Sequence, residues 1–263
     1  MKKIQSFLLV LSVFNLELLL ASSRYNFAKK IVAATAAIGS AGLGFQALEE
    51  YQIDTEYQKT QDKFKVLGVR YMNEVTSKDS SIIALTQKHS QEIGSIIEGT
   101  EKRAIRSGLY QAAALSKIKY EFLNSKDLGL RKDLRLAWIN NEKEYGVVAT
   151  RNIPAHTPIG IYAGQLRHTS EIEDHNYAFD SLYIYPQGQN RVVIGELQVD
   201  AKSSGNITRF INGSYVDEQP NCAVHCIIDR NENPQLVYVT TQVIKPGEEL
   251  TIDYGSKYPW HKK

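Results

Sequence analysis

The sequence predicts an α+β protein in which a helical N-terminal region precedes a mostly β C-terminal half. Two observations lead to this prediction. Apolar residues between positions 82 and 118 recur at three- and four-residue steps, which is the spacing of an amphipathic helix. After residue 135 the pattern changes to short apolar runs separated by turn residues, which is typical of strands. With 43% hydrophobic and 23% charged residues, the 263-residue chain has an ordinary globular composition.

Two apolar segments begin the chain. Residues 1–23 join a pair of lysines to an apolar run and then to small residues, the order found in export signals. Residues 24–48 contain a second apolar stretch rich in Ala and Gly, which suits either a membrane helix or a buried helix. These segments predict an exported or membrane-associated protein, with membrane attachment through residues 7–48.

The next region, residues 49–130, is predicted to be helical. Its apolar spacing favours an amphipathic helical pair or bundle that packs on the domain after it, and a partner-binding coiled coil is the alternative. Gly99 and Gly108 are expected to break or kink these helices, and residues 124–127 are expected to form a loop.

From residue 131 to 263 the sequence predicts one β-rich domain. Short runs rich in β-branched and aromatic residues alternate with turns that contain proline, glycine or asparagine. The predicted strands cover residues 145–150, 158–162, 191–194, 223–229 and 236–241.

Charge and cysteine content exclude several classes of protein. The formal net charge is only +2, so we expect no direct nucleic-acid partner, because phosphate binding usually needs a basic excess. Residues 131–263 carry 14 basic and 16 acidic side chains. This slight excess of acidic side chains suits a basic peptide as the substrate. Cys222 and Cys226 are the only cysteines, which excludes a disulfide-stapled fold. With His225 they provide too few ligands for a structural zinc site, so no metal is expected.

Four segments rich in aromatic and polar residues are the candidates for chemistry. Fifteen tyrosines are the one oddity of composition, and tyrosine rings and hydroxyls can attract a cation and orient an amine. Arg209 and Asn212 stand within an apolar stretch, where each must find a partner or a ligand. The four segments are residues 144–154, 162–165, 205–213 and 249–255.

In order and spacing these segments resemble the motifs of the SET-domain protein lysine methyltransferases, over residues 133–260. The resemblance implies small sheets in which the last two motifs thread together as a pseudoknot. It also implies S-adenosylmethionine as the methyl donor and a protein lysine as the acceptor, with histone tails as candidate substrates, the two entering from opposite faces. Two alternatives stay open: a SET-fold binding module without turnover, and a membrane-tethered interaction protein that acts through residues 49–125.

The resemblance further implies roles for individual residues. Tyr254 would be the catalytic tyrosine, with Tyr162 as a second hydroxyl near the amine. The cofactor would be bound by Tyr145, Gly146, Arg209, Phe210, Asn212 and Gly213. The channel for the substrate lysine would be lined by Tyr177, Phe179, Ile252 and Tyr258.

Three positions depart from the family pattern. Glu144 replaces the usual first glycine of the opening motif, and the loop after Asn212 lacks the usual histidine and carries an insertion. Ile252 stands where the family often has a larger aromatic residue that limits the number of methyl groups added, so we expect higher methylation states. An export-like N-terminus ahead of such a domain predicts a bacterial effector that is delivered to a host nucleus.

Overall fold

The computed structural model describes residues 41–108, 110–125, 131–187, 191–215 and 217–254. The chain divides into two compact units, residues 1–55 and 56–263. In the first unit the described residues, 41–55, are helical. The predicted export signal and residues 24–40 lie outside the described residues. Within the described ranges, no helix combines the length and the apolar character that crossing a bilayer requires.

Helices occupy most of the described chain before residue 125, as the apolar spacing predicted. The residue after α3 is Ser107, and Gly108 follows it with a φ of +76°, so this glycine ends the helix as expected. Gly99, however, lies inside α3, and the predicted break there is wrong because a single glycine lowers helix stability without interrupting the backbone hydrogen bonds. The helices are α1 Ala41–Val66, α2 Ser80–Lys88, α3 Ser90–Arg106 and α4 Ala112–Asn124.

Replacing Gly99 by alanine is expected to raise the free energy of unfolding by roughly 0.5–1 kcal/mol, because alanine restricts the unfolded chain and the helix has room for it. No heavy atom lies within 4 Å of the position that an alanine Cβ would take there. Urea unfolding of the two proteins measures the difference. The matched control is Gly164→Ala, whose Cβ would lie 2.5 Å from the backbone oxygen of Asp200 and should destabilise the protein. Equal losses at both positions would contradict the placement of Gly99 in an open helical position.

Short strands make up the C-terminal half, which confirms the predicted α+β class. All five predicted strands form, with ends shifted by at most two residues. The strands are β1 Arg70–Tyr71, β2 Val75–Ser77, β3 Leu134–Asn140, β4 Glu144–Ala149, β5 Pro158–Ile161, β6 Gly164–His168, β7 Ala178–Asp180, β8 Ile184–Gln187, β9 Arg191–Ile194, β10 Leu197–Asp200, β11 Ser204–Gly205, β12 Asn212–Gly213, β13 Cys222–Ile228, β14 Pro234–Thr240 and β15 Thr251–Ile252.

These strands pair in small sheets rather than in one large sheet. The two largest have the orders β2-β6-β10-β7 and β13-β14-β5, and the other described pairs are β1-β11, β3-β4, β8-β9 and β12-β15. β1 runs parallel to β11 and β2 runs parallel to β6. The segment between α1 and α2 therefore completes sheets whose other strands belong to the C-terminal half.

The closing segment of the domain lies between two other parts of the chain. On one side, β15 pairs in parallel with β12. On the other side, the Leu250 amide donates to the carbonyl of Val147 on β4 at 2.8 Å. The side chain of Asn221 donates to the carbonyl of Glu249 and accepts from the amide of Thr251, both at 2.8 Å. This is the threaded arrangement that the resemblance implied.

The helices share their core with the β-strands. Leu115, Ile118 and Phe122 of α4 pack against Val237 and Val239 of β14 in one buried cluster. The amphipathic face of this helix is therefore covered by the sheet β13-β14-β5, which stabilises both elements by burying apolar surface.

The two cysteines lie on the same strand and are free thiols. Cys222 and Cys226 are four residues apart on β13, and both are reduced. A strand rises by about 3.3 Å per residue, so their Cα atoms lie too far apart for a disulfide. Among the described residues, no group of three or more His, Cys, Asp or Glu side chains has a metal-binding arrangement.

Candidate active site

A cavity of about 240 Å³ opens beside the closing motif, and we call it the tyrosine cavity. Aromatic rings form its walls, while carboxylate and amide side chains stand around it. The Tyr162 and Phe179 rings lie 5.5 Å apart, and the Tyr162 and Tyr238 rings lie 6.2 Å apart. Such a cavity favours an apolar chain that ends in a polar group. Its lining residues are Tyr162, His175, Asn176, Ala178, Phe179, Asp180, Gln198, Tyr238, Asp253 and Tyr254.

Two tyrosine hydroxyls in this cavity are held by backbone carbonyls. The Tyr162 hydroxyl donates to the carbonyl oxygen of Tyr177 at 2.7 Å, and the Tyr254 hydroxyl donates to that of Ile211 at 2.6 Å. Burial raises the pKa of Tyr162 well above its usual value, and the neighbouring Tyr254 raises it further. The Tyr162 hydroxyl therefore stays protonated at neutral pH and acts as a neutral hydrogen-bonding group.

A second cavity of about 260 Å³ is lined by cationic and aromatic side chains, and we call it the cationic cavity. Its positive charges come from Lys143, Lys202 and Arg209, and its rings from Tyr145, Tyr177 and Phe210. Cations and ring faces together suit a ligand that carries a carboxylate, a positive centre and a flat heterocycle. The remaining lining residues are Leu67, Val69, Glu144 and Asn212.

Arg209 is buried, and backbone carbonyls hold its guanidinium at this cavity. Its Nε donates to the carbonyl of Ala201 at 2.7 Å, and an Nη donates to that of Lys202 at 3.0 Å. The guanidinium carbon lies 4.1 Å from the Tyr177 ring centroid and 4.4 Å from that of Phe210. Burial lowers the pKa of Arg209, and the interaction with Tyr177 opposes that effect. These contacts fix the guanidinium of Arg209 against the rings of Tyr177 and Phe210.

A buried polar network joins three of the sequence motifs at the same cavity. The Asn212 side-chain amide donates to the carbonyl of Tyr145 at 3.2 Å and to Oε1 of Glu249 at 2.9 Å. The other carboxylate oxygen of Glu249 accepts from the buried ammonium of Lys143 at 3.1 Å. Because each buried group has a partner of opposite charge or polarity, the network holds the opening, middle and closing motifs in register.

The opening motif depends on two special backbone positions. A Cβ at Gly146 would lie 2.6 Å from Oε1 of Glu249 and 2.9 Å from the side-chain amide nitrogen of Asn212, so a larger residue there requires these side chains to shift. Glu144 has a φ of +55°, in the left-handed region that favours glycine. The backbone therefore keeps a glycine-like conformation at Glu144, although this sequence departs from the family there.

The two cavities adjoin through the tyrosine hydrogen bonds. Tyr177, whose carbonyl accepts from Tyr162, places its own ring in the cationic cavity. Ile211, whose carbonyl accepts from Tyr254, stands between two residues that both line the cationic cavity. Each hydroxyl of the tyrosine cavity is thus bonded to backbone that borders the cationic cavity.

The structure places most of the predicted site residues at one or the other cavity. Tyr254, Tyr162 and Phe179 line the tyrosine cavity. Of the predicted cofactor residues, four line the cationic cavity: Tyr145, Arg209, Phe210 and Asn212. Gly146 and Gly213 belong to the adjoining strands β4 and β12 and do not line the cavity themselves.

Of the other predicted channel residues, the two that the structure describes, Tyr177 and Ile252, do not line the tyrosine cavity. The Tyr177 ring faces the cationic cavity rather than the lysine channel, because it packs on the Arg209 guanidinium. Ile252 is 3% exposed in the main core and lines neither cavity, so its effect on the number of methyl groups stays a prediction. Tyr258 lies outside the described residues.

Several residues at the site carry no role in the sequence prediction. Lys143 sits in the turn before the opening motif, and no local pattern distinguishes it from a solvated lysine. Glu249 belongs to the closing motif, and its place in that motif was the available signal. Leu67 and Val69 lie far upstream of every motif, so only the folded chain brings them to the cavity.

Comparison with known proteins finds a family match for part of the chain. Residues 144–255 match the family model of the SET domain. Histone-lysine N-methyltransferase Su(var)3-9 of Drosophila pseudoobscura pseudoobscura is 32% identical over 132 residues, which are 48% of this chain and 20% of that protein. Histone-lysine N-methyltransferase trr of Drosophila melanogaster is 30% identical over 145 residues, 51% of this chain and 6% of that protein. The chain thus spans a minor part of the length of these relatives.

A solved structure supports the same fold over a larger part of the chain. The crystal structure of ATXR5 in complex with a mono-methylated histone superposes with a TM-score of 0.53 at 17% identity. The superposition covers 80% of this chain and 94% of that chain. The likeness therefore extends upstream of the family match, into the helical region.

Proposed function

We propose that this chain, whose residues 144–255 match the family model of the SET domain, transfers a methyl group from S-adenosylmethionine to the side-chain amine of a lysine in a protein. The observation that carries the proposal is the pair of adjoining cavities, joined by the hydrogen bonds of Tyr162 and Tyr254. One cavity suits an alkyl chain with a terminal amine, and the other suits a charged nucleoside. The names of the curated relatives, histone-lysine N-methyltransferases, support the same reaction.

The residues of the cationic cavity fit S-adenosylmethionine. Lys202 and Arg209 provide positive charge for its carboxylate, and the Tyr145 and Tyr177 ring faces favour its sulfonium. Phe210 adds an apolar face that suits the adenine ring. When bound, the cofactor supplies a methyl group that is activated by the positive sulfur.

The tyrosine cavity fits the lysine side chain of a basic peptide. Tyr162, Phe179 and Tyr238 enclose the alkyl stem and exclude water from it. Asp180 and Asp253 place carboxylates at the same cavity, so basic residues beside the target lysine are favoured. A histone tail has this composition, and we propose it as the first substrate to test.

The protein contributes alignment and a neutral polar environment. In methyl transfer the amine lone pair forms the N–C bond as the C–S bond breaks, so the amine must arrive without its extra proton. The hydroxyls of Tyr162 and Tyr254 are directed by backbone carbonyls, so their lone pairs can hold an amine in one orientation. Tyr162, whose pKa is raised by burial, does so as a neutral hydroxyl.

The direct test incubates the purified full-length protein with radiolabelled S-adenosylmethionine and core histones. We expect label on histone lysines, and mass spectrometry then gives the lysine and the number of methyl groups. Serum albumin, an acidic protein, is the control substrate and should receive little label. If a well-folded sample fails to bind S-adenosylhomocysteine by calorimetry, the proposal is wrong. Binding of cofactor without transfer to any histone or lysate protein would instead favour a binding module.

A further inference from the structure

The cationic cavity has a wall that lies outside the SET-family match. Leu67 and Val69 line this cavity, although the match begins only at residue 144. They belong to the end of α1 and the turn after it, residues 63–69, which we call the α1 wall. We propose that two residues of the α1 wall, Leu67 and Val69, are part of the cofactor site and that Leu67 contacts the adenosine end of S-adenosylmethionine. This inference rests on the proposed function.

The backbone of the α1 wall is fixed by a helix-ending motif. The amide of Val69 donates to the carbonyl of Phe64 at 3.0 Å, and the amide of Gly68 donates to that of Lys65 at 3.1 Å. Gly68 has a φ of +67°, as the glycine of a Schellman motif requires. Phe64 and Val69 are both buried in the main core, which supplies the apolar contact that usually accompanies this motif. Leu67 is therefore held in a defined position.

The α1 wall packs against the turn of residues 207–210, which contains Arg209 and Phe210. The ring centroids of Phe64 and Phe210 lie 5.5 Å apart in an edge-to-face arrangement. Directly after the wall, the amide of Arg70 donates to the carbonyl of Ser203 at 3.0 Å, and β1 then pairs with β11. The wall leads directly into β1, and the turn of residues 207–210 follows β11, so the pairing of β1 with β11 connects the two.

The wall also contacts a second aromatic residue of the cavity lining. The ammonium of Lys63 lies 4.7 Å from the centroid of the Tyr145 ring, a cation–π distance. Tyr145 belongs to β4 and lines the cavity. The wall therefore contacts two aromatic residues of the cavity lining, Phe210 and Tyr145.

The chemistry of the wall favours the adenosine end of the cofactor. The side chains that the wall places at the cavity are apolar, whereas Lys143, Lys202 and Arg209 provide the charge elsewhere in the lining. The methionine end of the cofactor is charged and would lose hydration against Leu67, while adenine is flat and largely apolar on its faces. Leu67 keeps 38% of its surface exposed, so a ligand has apolar area to cover there.

The test is calorimetry of the full-length protein with two ligands, S-adenosylhomocysteine and 5′-methylthioadenosine, which retains the adenosine but lacks the amino-acid end. Leu67→Ser is expected to weaken both affinities by about fivefold to tenfold, because it removes an apolar contact. The matched control is Val66→Ser, one residue earlier on the same helix end. Val66 is 80% exposed and does not line the cavity, so its substitution should leave both affinities unchanged. Thermal unfolding of both variants verifies that they remain folded.

Each other outcome has one meaning. Wild-type affinity in Leu67→Ser would overturn the inference. A loss for S-adenosylhomocysteine without a loss for 5′-methylthioadenosine would overturn the assignment of Leu67 to the adenosine end. An equal loss in Val66→Ser would place the effect in the helix end rather than in the contact, and would also overturn it. If the unaltered protein binds neither ligand, the proposed function itself fails, and the inference fails with it.

Discussion

Tyr254→Phe is expected to lower the rate constant of methyl transfer by about two orders of magnitude while leaving cofactor affinity unchanged. The substitution removes only the hydroxyl, which donates to the Ile211 carbonyl and stands in the tyrosine cavity. Without it, the amine loses a partner that fixes its direction, whereas the cationic cavity keeps all its lining residues. Single-turnover transfer to histones measures the rate, and calorimetry with S-adenosylhomocysteine measures the affinity.

The control for this prediction is another tyrosine outside both cavities. Tyr185 lies on β8, where its ring packs 4.8 Å from that of His168, and Tyr185→Phe should transfer methyl groups at the wild-type rate. A Tyr254→Phe protein that is as active as the wild type would show that the hydroxyl takes no part. An equal fall in cofactor affinity and in rate would assign Tyr254 a structural role instead.

Gly146→Ala is expected to weaken cofactor binding by more than about tenfold and to destabilise the protein by about 1–3 kcal/mol. The new methyl group would lie 2.6 Å from Oε1 of Glu249, 2.7 Å from Cγ1 of Ile139 and 2.9 Å from the amide nitrogen of Asn212. Relieving these contacts must displace the buried network that holds Asn212 at the cationic cavity. Urea unfolding and calorimetry with S-adenosylhomocysteine measure the two effects.

A glycine in open space provides the comparison. Gly94 lies in α3, and no heavy atom stands within 4 Å of the position that an alanine methyl group would take there. Gly94→Ala should therefore retain full cofactor affinity and lose no stability. If Gly146→Ala matches Gly94→Ala in both measurements, the network does not depend on the close approach at Gly146.

Local sequence patterns were sufficient to predict those features that depend mainly on neighbouring residues. Three- and four-residue apolar spacing located the helices, because a helix buries one face whatever it packs against. The five predicted strands were found within two residues of their ends, since their branched and aromatic residues favour extended backbone. Short motifs likewise were sufficient to select Tyr254, Tyr162 and Asn212 as candidate site residues, because a motif is recognised from a few adjacent residues.

Long-range packing decided what the motifs left open. The two-residue strands β1, β11, β12 and β15 exist only because a distant segment pairs with them, and so short a run has no pattern of its own. Tyr177 was assigned to the lysine channel, but its ring turns to the cationic cavity because Arg209 is buried beneath it. The residues next to Tyr177 in the sequence give no indication that its ring packs on Arg209.

By itself, the amino-acid sequence determined the α+β class, the order of the two halves and four motifs that resemble those of the SET domain, whose family model matches residues 144–255. Only the tertiary structure decided that two cavities meet at the hydrogen bonds of Tyr162 and Tyr254, and that Leu67 reaches one of them. The physical reason is that secondary structure and motif chemistry depend on neighbouring residues. A cavity, in contrast, depends on which distant surfaces the buried core brings together.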